Sequence, residues 1–227
     1  MTSMERIPEP ELMDDPEQAL AYAKADFSAT HGARVAMFRS LLPRLALTGP
    51  VLDLGCGSGD VLLRFAHAFP EAHFVGIDGS RPMLALAQQA IDADPVLHDR
   101  VRVRYGIIPQ CQLPQEPWRL IMSHSLLHQL HQPQVLWQTI AECADSADNG
   151  CAVFVADLRR PASELEARRM VQSMSRDEPE ILQRDFFNSL CAAFTPGEVR
   201  AQLAAAGLTQ LKVDAQEPFH MSISGLL

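Results

Sequence analysis

The chain has 227 residues, of which 47% are apolar, and it carries a formal net charge of −9. Its length and apolar content predict a single globular domain, residues 1–227, with a sizeable core. The negative charge argues against nucleic acid as the main partner, because phosphate binding needs clustered Lys and Arg. The absence of any run of about 18 apolar residues argues against a membrane span.

The N-terminal region is predicted to consist of an arm and two helices. Residues 1–14 are acidic and contain proline, so we expect a mobile arm that lacks the basic and apolar regions of a secretory signal. Asp15-Pro16 reads as an N-cap with proline at the first helical position, and the helix should run to about Phe27. A second helix is expected from about Gly32 to Leu45.

A glycine-rich turn follows the first predicted strand, Val51–Leu54. Gly55, Gly57 and Gly59 alternate with Cys56 and Ser58, and a helix is predicted over Asp60–Phe69. Glycine allows the backbone to approach a ligand closely, and free amides at a helix N-terminus favour an anionic or polar group. The turn therefore predicts a site for a nucleotide-like cofactor.

The spacing of these glycines argues against a nicotinamide or flavin cofactor. The dinucleotide fingerprint G-x-G-x-x-G requires a glycine where this chain has Asp60 or Leu62, depending on the register. The second predicted strand, His73–Asp78, ends in a carboxylate that can accept both hydroxyls of a ribose. The alternative is that Asp78 only caps the following helix, predicted over Arg81–Ile91.

Strands and helices continue to alternate through the middle of the chain. Val101–Tyr105 has the period-two pattern of a strand. Further elements are predicted as a strand at Leu120–His124, a helix at Pro133–Asp145 and a strand at Cys151–Asp157.

The five cysteines are odd in number and form no C-x-x-C pair. This usage indicates buried thiols in a reducing cytoplasm rather than a disulfide framework or a zinc site. Cys56 could be reactive because it precedes a helix, but a small residue that fills the turn is the simpler interpretation.

The alternation stops after Pro161. Residues 162–194 are helix-prone and too long for a plain connection, so we expect a helical cap over the site. A capping box beginning at Thr195 starts a helix that runs to about Ala205. The last two predicted strands, Leu208–Asp214 and Phe219–Ile223, are joined so closely that they must pair antiparallel.

These motifs resemble those of the class I S-adenosylmethionine-dependent methyltransferases, in particular bacterial small-molecule members. Asp53, Gly55, Gly57 and Gly59 match the family's D/E-x-G-x-G-x-G, and Asp78 matches the acidic end of its second strand. Residues 120–131 and 154–161 resemble the fourth and fifth strands with their exits. The resemblance implies an α/β fold with a Rossmann-like, doubly wound, seven-stranded sheet, mostly parallel with one antiparallel strand near the C-terminus. It also implies that the N-terminal helices at 15–45 close over the cofactor.

The resemblance further implies a cofactor site for S-adenosylmethionine. The glycine turn would hold the methionine portion of the cofactor, and Asp78 would hold the ribose. Met83 could flank the adenine, but packing in the core of the helix is an equal alternative for this residue. Ile107 and Ile108 stand where relatives often have an acidic residue and could supply an apolar wall. The full expected set is Tyr22, Asp53, Gly55, Cys56, Gly57, Ser58, Gly59, Asp78, Gly79, Met83, Ile107, Ile108 and His124.

Three histidines after the fourth strand form H-x3-H-x2-H. His124, His128 and His131 could bind a metal if they lay on a helix, but the Glu of H-E-x-x-H and a fourth ligand are absent, so we expect no metal. His124 or His128 is predicted to face the substrate as a general base. Asp157 ends strand five and should either point into the cavity or cap the next segment, so the expected catalytic set is His124, His128 and Asp157.

The functional hypothesis is methyl transfer from S-adenosylmethionine to an N, O or S atom of a small-molecule metabolite, with S-adenosylhomocysteine as product. His124 departs from the family, because many relatives have Asn there. Two alternatives stay open, a non-catalytic S-adenosylmethionine-binding protein and a dinucleotide-dependent oxidoreductase. The expected partner is a small molecule, not nucleic acid or a membrane, and a homodimer is compatible with the sequence.

Overall fold

The computed structural model of the protein describes residues 4–25, 27–145 and 150–227. Its helices are α1 (Pro16–Lys24), α2 (Ser28–Leu41), α3 (Asp60–Ala68), α4 (Arg81–Asp92), α5 (Gln134–Ala144), α6 (Glu164–Met174), α7 (Glu180–Ala192) and α8 (Pro196–Ala205). Its strands are β1 (Gly49–Leu54), β2 (Ala72–Asp78), β3 (Val101–Tyr105), β4 (Leu120–His124), β5 (Ala152–Leu158), β6 (Lys212–Gln216) and β7 (His220–Leu226).

The strands form one sheet in the order β3-β2-β1-β4-β5-β7-β6. β1 pairs in parallel with β2 and β4, and β7 is antiparallel to both of its neighbours, β5 and β6. The predicted seven-stranded, mostly parallel sheet with one reversed strand is therefore confirmed. The order reverses between β1 and β4, and ligands of such sheets bind beside the carboxyl ends of the strands at this switch point.

Two apolar layers sandwich the sheet, because parallel strands bury both faces. On one face Leu52 and Val153 pack in a cluster that includes Trp137 of α5. On the other face Val51 and Phe154 pack with aromatic residues of α2 and α3, Phe38 and Phe65. The carboxyl ends of the central strands are consequently fixed by a rigid core.

The N-terminal helices differ from the predicted boundaries. α1 ends at Lys24 because Ala25 is already extended, with φ −66° and ψ 144°. α2 ends at Leu41 rather than Leu45, because Leu42 precedes a proline and is driven out of the helical region to φ −126°. The two elements nevertheless occupy the segment in which two helices were expected.

The C-terminal strands are also shifted. Leu208 begins a turn, closed by the Leu211 amide on the Leu208 carbonyl at 3.1 Å, so β6 starts only at Lys212. β7 continues beyond the predicted Ile223 because its pairing with β5 extends to Leu226 opposite Ala152.

The segment predicted as a helical cap contains α6 and α7. α7 reaches the N-terminal region, where Gln18 Nε2 donates to Asp185 Oδ2 at 2.7 Å. Across the described ranges, no helix combines the length and the apolar character needed to cross a membrane. The N-terminal helices and the cap segment between β5 and β6 thus contact each other.

Candidate active site

A cavity of about 750 Å³ lies at the carboxyl ends of β1, β2 and β4. Each strand contributes its last residues to the wall, among them Leu54, Asp78 and His124. The N-terminal helices and α7 complete the enclosure through residues such as Tyr22 and Phe186. A volume of this size accommodates a nucleoside-sized ligand together with a second small molecule.

The glycine turn borders this cavity with its backbone. Gly55 and Gly57 have φ angles of 75° and 53°, and the amides of Gly55 and Cys56 donate to the Ile77 carbonyl at 2.8 and 3.1 Å. A Cβ built on Gly57 would meet no atom within 4 Å, so the turn faces open space. Cys56 and Ser58 also line the cavity.

Gly59 has a different role from the other two glycines. With φ 86° it is the N-cap of α3, and an added Cβ would lie 3.2 Å from the Cβ of Ala87. The structure does not place Gly59 in the cavity wall. It allows α3 and α4 to pack closely, and this packing supports the glycine turn on the side away from the cavity.

Asp78 joins the ends of β1 and β2. Its Oδ2 accepts the Gly57 amide at 2.8 Å and its Oδ1 accepts the Ser80 amide at 2.7 Å. The cap of α4 is Ser80, whose Oγ accepts the Met83 amide at 3.3 Å, so Asp78 is not merely the cap of that helix. Burial raises the pKa of Asp78, although the two backbone hydrogen bonds act in the opposite direction.

Asp53 lies beneath the turn as a buried acid. Its side chain is 2% exposed, and its Oδ1 has no hydrogen-bond partner among the described residues. Burial, and then the charge of Asp78, raise the pKa of Asp53 to about 8. An unpaired buried carboxyl group is costly, and a cationic ligand group would relieve that cost.

An apolar recess continues from Asp78. Gly79, Met83, Ile107 and Ile108 all line the cavity there. A Cβ on Gly79 would lie 2.7 Å from Leu12 Cδ2 and 3.1 Å from Ile107 Cγ1. The recess is therefore narrow, and only glycine fits at this position without movement of its neighbours.

The N-terminal helices bring aromatic and charged groups to the opposite side. The rings of Tyr22 and Phe27 lie 4.8 Å apart, and those of Phe27 and His31 lie 4.9 Å apart. His31 Nδ1 lies 2.7 Å from Asp60 Oδ2, at the start of α3. Burial raises the pKa of Tyr22 to about 12, so its phenol is protonated at neutral pH.

Arg34 is a cavity residue that the sequence did not single out. It is 5% exposed, lines the cavity, and makes no hydrogen bond or ion pair within the described part of the chain. Burial lowers its pKa, but a guanidinium remains charged in proteins. No motif marks this position, because only the packing of α2 on the sheet buries it.

His124 ends β4 in aromatic surroundings. Its ring lies 5.4 Å from that of Phe154 and 6.0 Å from that of Phe65. Both ring nitrogens are buried without a hydrogen-bond partner among residues 4–25, 27–145 and 150–227. Burial, followed by the charges of Arg34 and His31, lowers the pKa of His124 well below its usual value, so the ring is neutral.

His128 lies between two carboxylates. Its Nδ1 is 2.7 Å from Asp157 Oδ1 and its Nε2 is 3.3 Å from Glu9 Oε1. Burial alone would lower the pKa of His128, but Asp157 and Glu9 outweigh it and raise the pKa to about 10. The ring is therefore protonated at neutral pH and has no free site for another proton.

Asp157 holds the loop after β4 in place through hydrogen bonds. It is 1% exposed and accepts the amides of Leu127 and Leu158 at 2.8 and 2.7 Å in addition to the His128 ring. The cavity wall includes Leu158 but not Asp157. Of the two alternatives for Asp157, the structure shows the one in which it orders the adjoining segments.

The histidines do not share a helix face. Residues 125–131 form turns rather than a helix, and Ser125 has the left-handed φ of 52°. His131 instead binds the N-terminal arm, with its Nε2 2.8 Å from the Glu9 carbonyl. The described residues contain no group of three or more metal-type side chains that could hold an ion.

Comparison with known proteins identifies the domain around the glycine turn. A family model described as "Methyltransferase domain" matches residues 51–150. An uncharacterised methyltransferase of Schizosaccharomyces pombe is 26% identical over 130 residues, covering 53% of this chain and 47% of the relative. Trans-aconitate 2-methyltransferase of Yersinia pestis is 45% identical over 53 residues, 22% of this chain and 20% of that protein. The chain thus spans half or less of these curated relatives.

Solved structures share the fold along most of the chain. A SAM-dependent methyltransferase from Aquifex aeolicus has a TM-score of 0.65 at 16% identity, covering 93% of this chain and 98% of its own. The plantazolicin methyltransferase BpumL, solved with SAH, has a TM-score of 0.70 at 14% identity over 94% of this chain and 90% of its own. Residues 51–150 thus match a methyltransferase domain, and they lie on a fold that the chain shares with these S-adenosylmethionine-dependent methyltransferases.

Proposed function

We propose that the protein transfers the methyl group of S-adenosylmethionine to an N, O or S atom of a small-molecule metabolite. The observation that carries the proposal is the hydrogen bond from the Gly57 amide to Asp78, which couples the open glycine turn to an acid at the cavity. Proteins of similar structure that were solved with SAH or SAM bound support the same cofactor. Binding of a small molecule, a cytoplasmic location and a homodimer stay predictions.

The residues present fit this cofactor. Its methionyl end carries an ammonium and a carboxylate, which match the Asp53 oxygen and the Arg34 guanidinium, both buried and without a hydrogen-bond partner in the described part of the chain. Asp78 retains free lone pairs for the two ribose hydroxyls. The other proposed contacts are main-chain and wall contacts from Tyr22, Gly55, Cys56, Gly57, Ser58, Gly79, Met83, Ile107, Ile108 and His124, with Gly59 acting through the packing of α3.

The cofactor supplies, when bound, a methyl group on a positively charged sulfur that a nucleophile can displace in line. The chain's task is to align the acceptor and to exclude water. The enclosed cavity and its apolar residues near the cap, Leu182, Phe186 and Phe219, serve that task. His220 stands beside them, and burial lowers its pKa to about 3, so it is neutral.

The geometry favours His31 over His124 and His128 as the proton acceptor. His128 is protonated and held by two carboxylates, so we assign it and Asp157 to positioning rather than to proton transfer. Both ring nitrogens of His124 lack a hydrogen-bond partner among the described residues, so this ring can form a hydrogen bond to the molecule that receives the methyl group. His31, oriented by Asp60 at 2.7 Å, has the arrangement expected of a general base when the acceptor arrives protonated.

The cofactor half of the proposal is tested by titrating the protein calorimetrically with S-adenosylhomocysteine. Asp78→Ala should weaken binding about a hundredfold, because two hydroxyl hydrogen bonds to a charged group are lost. Asp99→Ala is the matched control, since that side chain is 96% exposed. Equal affinities for the Asp78→Ala protein and the control would contradict the assignment.

The catalytic half is tested by incubation with isotopically labelled S-adenosylmethionine and a metabolite extract, followed by mass spectrometry. A labelled product together with S-adenosylhomocysteine supports methyl transfer. Retention of the cofactor with no product from any extract would support the non-catalytic alternative, and tight NAD binding would support the oxidoreductase. With the methyl acceptor identified, His31→Ala should lower the rate of methyl transfer to a nucleophile that arrives protonated, and a wild-type rate would contradict the assignment of His31.

A further inference from the structure

The N-terminal arm crosses the rim of the cavity. Residues 6–13, which we call the strap, contain no helix or strand. They nevertheless contact three separate parts of the molecule, namely the C-terminal end of α7, the loop after β4 and the start of α4. Each contact is made by different strap residues, and together they fix its course.

The first contact fastens the strap to α7 and the loop after β4. Arg6 Nε donates to the Ala192 carbonyl at 2.6 Å, and its Nη2 donates to the carbonyls of His128 and Leu130 at 2.9 and 3.0 Å. The guanidinium also lies 4.0 Å from the centre of the Phe194 ring. One cation thus joins segments that are far apart in sequence.

The second contact is made by Glu9. Its carboxylate accepts the Ser189 hydroxyl at 3.0 Å and lies 3.3 Å from His128 Nε2. Glu9 is the only strap acid that reaches this histidine among the described contacts, and Asp157 holds the other ring nitrogen at 2.7 Å. The strap is therefore tied by charge to a buried group anchored on β5.

The third contact reaches the recess beside Asp78. The Met13 carbonyl accepts the Ser80 hydroxyl at 2.6 Å. Leu12 Cδ2 lies 2.7 Å from where a Cβ of Gly79 would be, next to Ile107. Leu12 is 38% exposed and lines the cavity. Its side chain therefore forms the solvent-facing side of the recess.

We propose that the strap is part of the cofactor site, that Leu12 forms the outer wall against the adenine ring, and that Glu9 holds this wall in place through His128. The inference rests on the proposed function, because it names the ligand whose base enters the recess. Leu12 and Ile107 both border the recess beside Asp78, so a flat, largely apolar heterocycle that enters it would contact both side chains, whereas the polar ribose would remain at Asp78. Leu12 and Glu9 are in this view further binding and positioning residues.

The proposal is tested by titration with two probes, S-adenosylhomocysteine and 5′-methylthioadenosine, which lacks the amino-acid end. Leu12→Ala should weaken both by about fivefold to twentyfold, because the lost apolar contact concerns the adenosine part that they share. Leu165→Ala, at a site 59% exposed on α6, is the matched control. Glu9→Gln should raise the dissociation rate of S-adenosylhomocysteine severalfold relative to the exposed Glu5→Gln.

Amide hydrogen exchange distinguishes a strap that contacts the cofactor from a strap that only stabilises the fold. In the wild-type protein, S-adenosylhomocysteine should slow amide exchange in residues 6–13, and Glu9→Gln should reduce this protection. If Leu12→Ala and Glu9→Gln match their controls while the wild type binds, the strap proposal is overturned and the proposed function stands. Tighter binding by Leu12→Ala would also overturn it, since Leu12 would then occupy the place of the base. A wild-type protein that binds neither probe would overturn the proposed function as well.

Discussion

The floor and the roof of the cavity are held by different kinds of contact. The floor, residues 53–59 with 78–80, rests on backbone amides, such as those of Gly55 and Cys56 on the Ile77 carbonyl. The roof, the strap with α1, α2 and α7, is held mainly by side chains, both through the apolar packing of its helices and through single charged contacts such as Arg6 on the Ala192 carbonyl. The floor is thus built into the sheet, whereas the roof depends on side chains and should be the easier part to alter.

His124 and His128 show the same difference on a smaller scale. His124 belongs to the floor side, where aromatic rings surround it and it is neutral. His128, four residues later, meets the roof through Glu9 and is protonated. Their chemical roles therefore follow from their neighbours and not from the shared residue type.

The largest expected effect comes from removing the support of the roof. Asp157→Ala leaves the His128 imidazolium and the Leu127 amide without their buried partner, and it should lower the free energy of unfolding by about 3–5 kcal/mol. Chemical denaturation measures the change. Asp214→Ala, at an exposed position on β6, should stay within about 0.5 kcal/mol of the wild type, and equal stabilities for the two variants would contradict the role of Asp157.

A second substitution addresses the roof side of the cofactor site. Arg34→Met should weaken S-adenosylhomocysteine by about tenfold to hundredfold, because a charged hydrogen bond to the methionyl carboxylate is lost. Binding of 5′-methylthioadenosine, which lacks that carboxylate, should stay unchanged. Arg39→Met, on the exposed side of the same helix, is the control for α2. Equal losses for both probes would show that Arg34 acts on the fold rather than on the carboxylate.

The charge on His128 predicts a pH dependence of stability. Its pKa of about 10 in the folded protein lies above the ordinary value of 6.5, so its contribution is complete below pH 6.5 and is lost as the pH rises toward 10. The slope in this window should reach up to about 1.4 kcal/mol per pH unit. Denaturation from pH 6 to 10 should give a shallower slope for His128→Asn, and parallel curves would refute the assignment.

The smallest effect is expected on the floor side. His124→Phe removes two buried nitrogens that lack partners and adds a ring to an aromatic cluster. Stability should therefore be retained or rise by up to about 1 kcal/mol, whereas methyl transfer should fall if His124 contacts the acceptor. Thermal unfolding checks the first statement. A clear loss of stability would show that His124 has a hydrogen-bond partner in solution.

The sequence predicted the floor well because its signals are local. The glycines of the turn, the strand that ends in Asp78 and the cap of α8 at Thr195 depend on residues close together in the chain, and the structure places them as expected. The exact ends of α2 and β6 were missed because tertiary pairing and a proline decided them. The course of the loop after β4 could not be predicted, since it is set by hydrogen bonds to the strap and to Asp157.

By itself the sequence determined the order of strands and helices, the open glycine turn and the acid beside it, since backbone conformation and hydrophobic period are encoded residue by residue. Only the tertiary structure decided that Arg34 is a buried cation with no hydrogen-bond or ion-pair partner among the described residues, that Glu9 reaches His128, and that Asp157 lies behind the cavity wall. The physical reason is that burial and charge pairing join residues far apart in the chain, and these two effects set the protonation and the role of every group at the site.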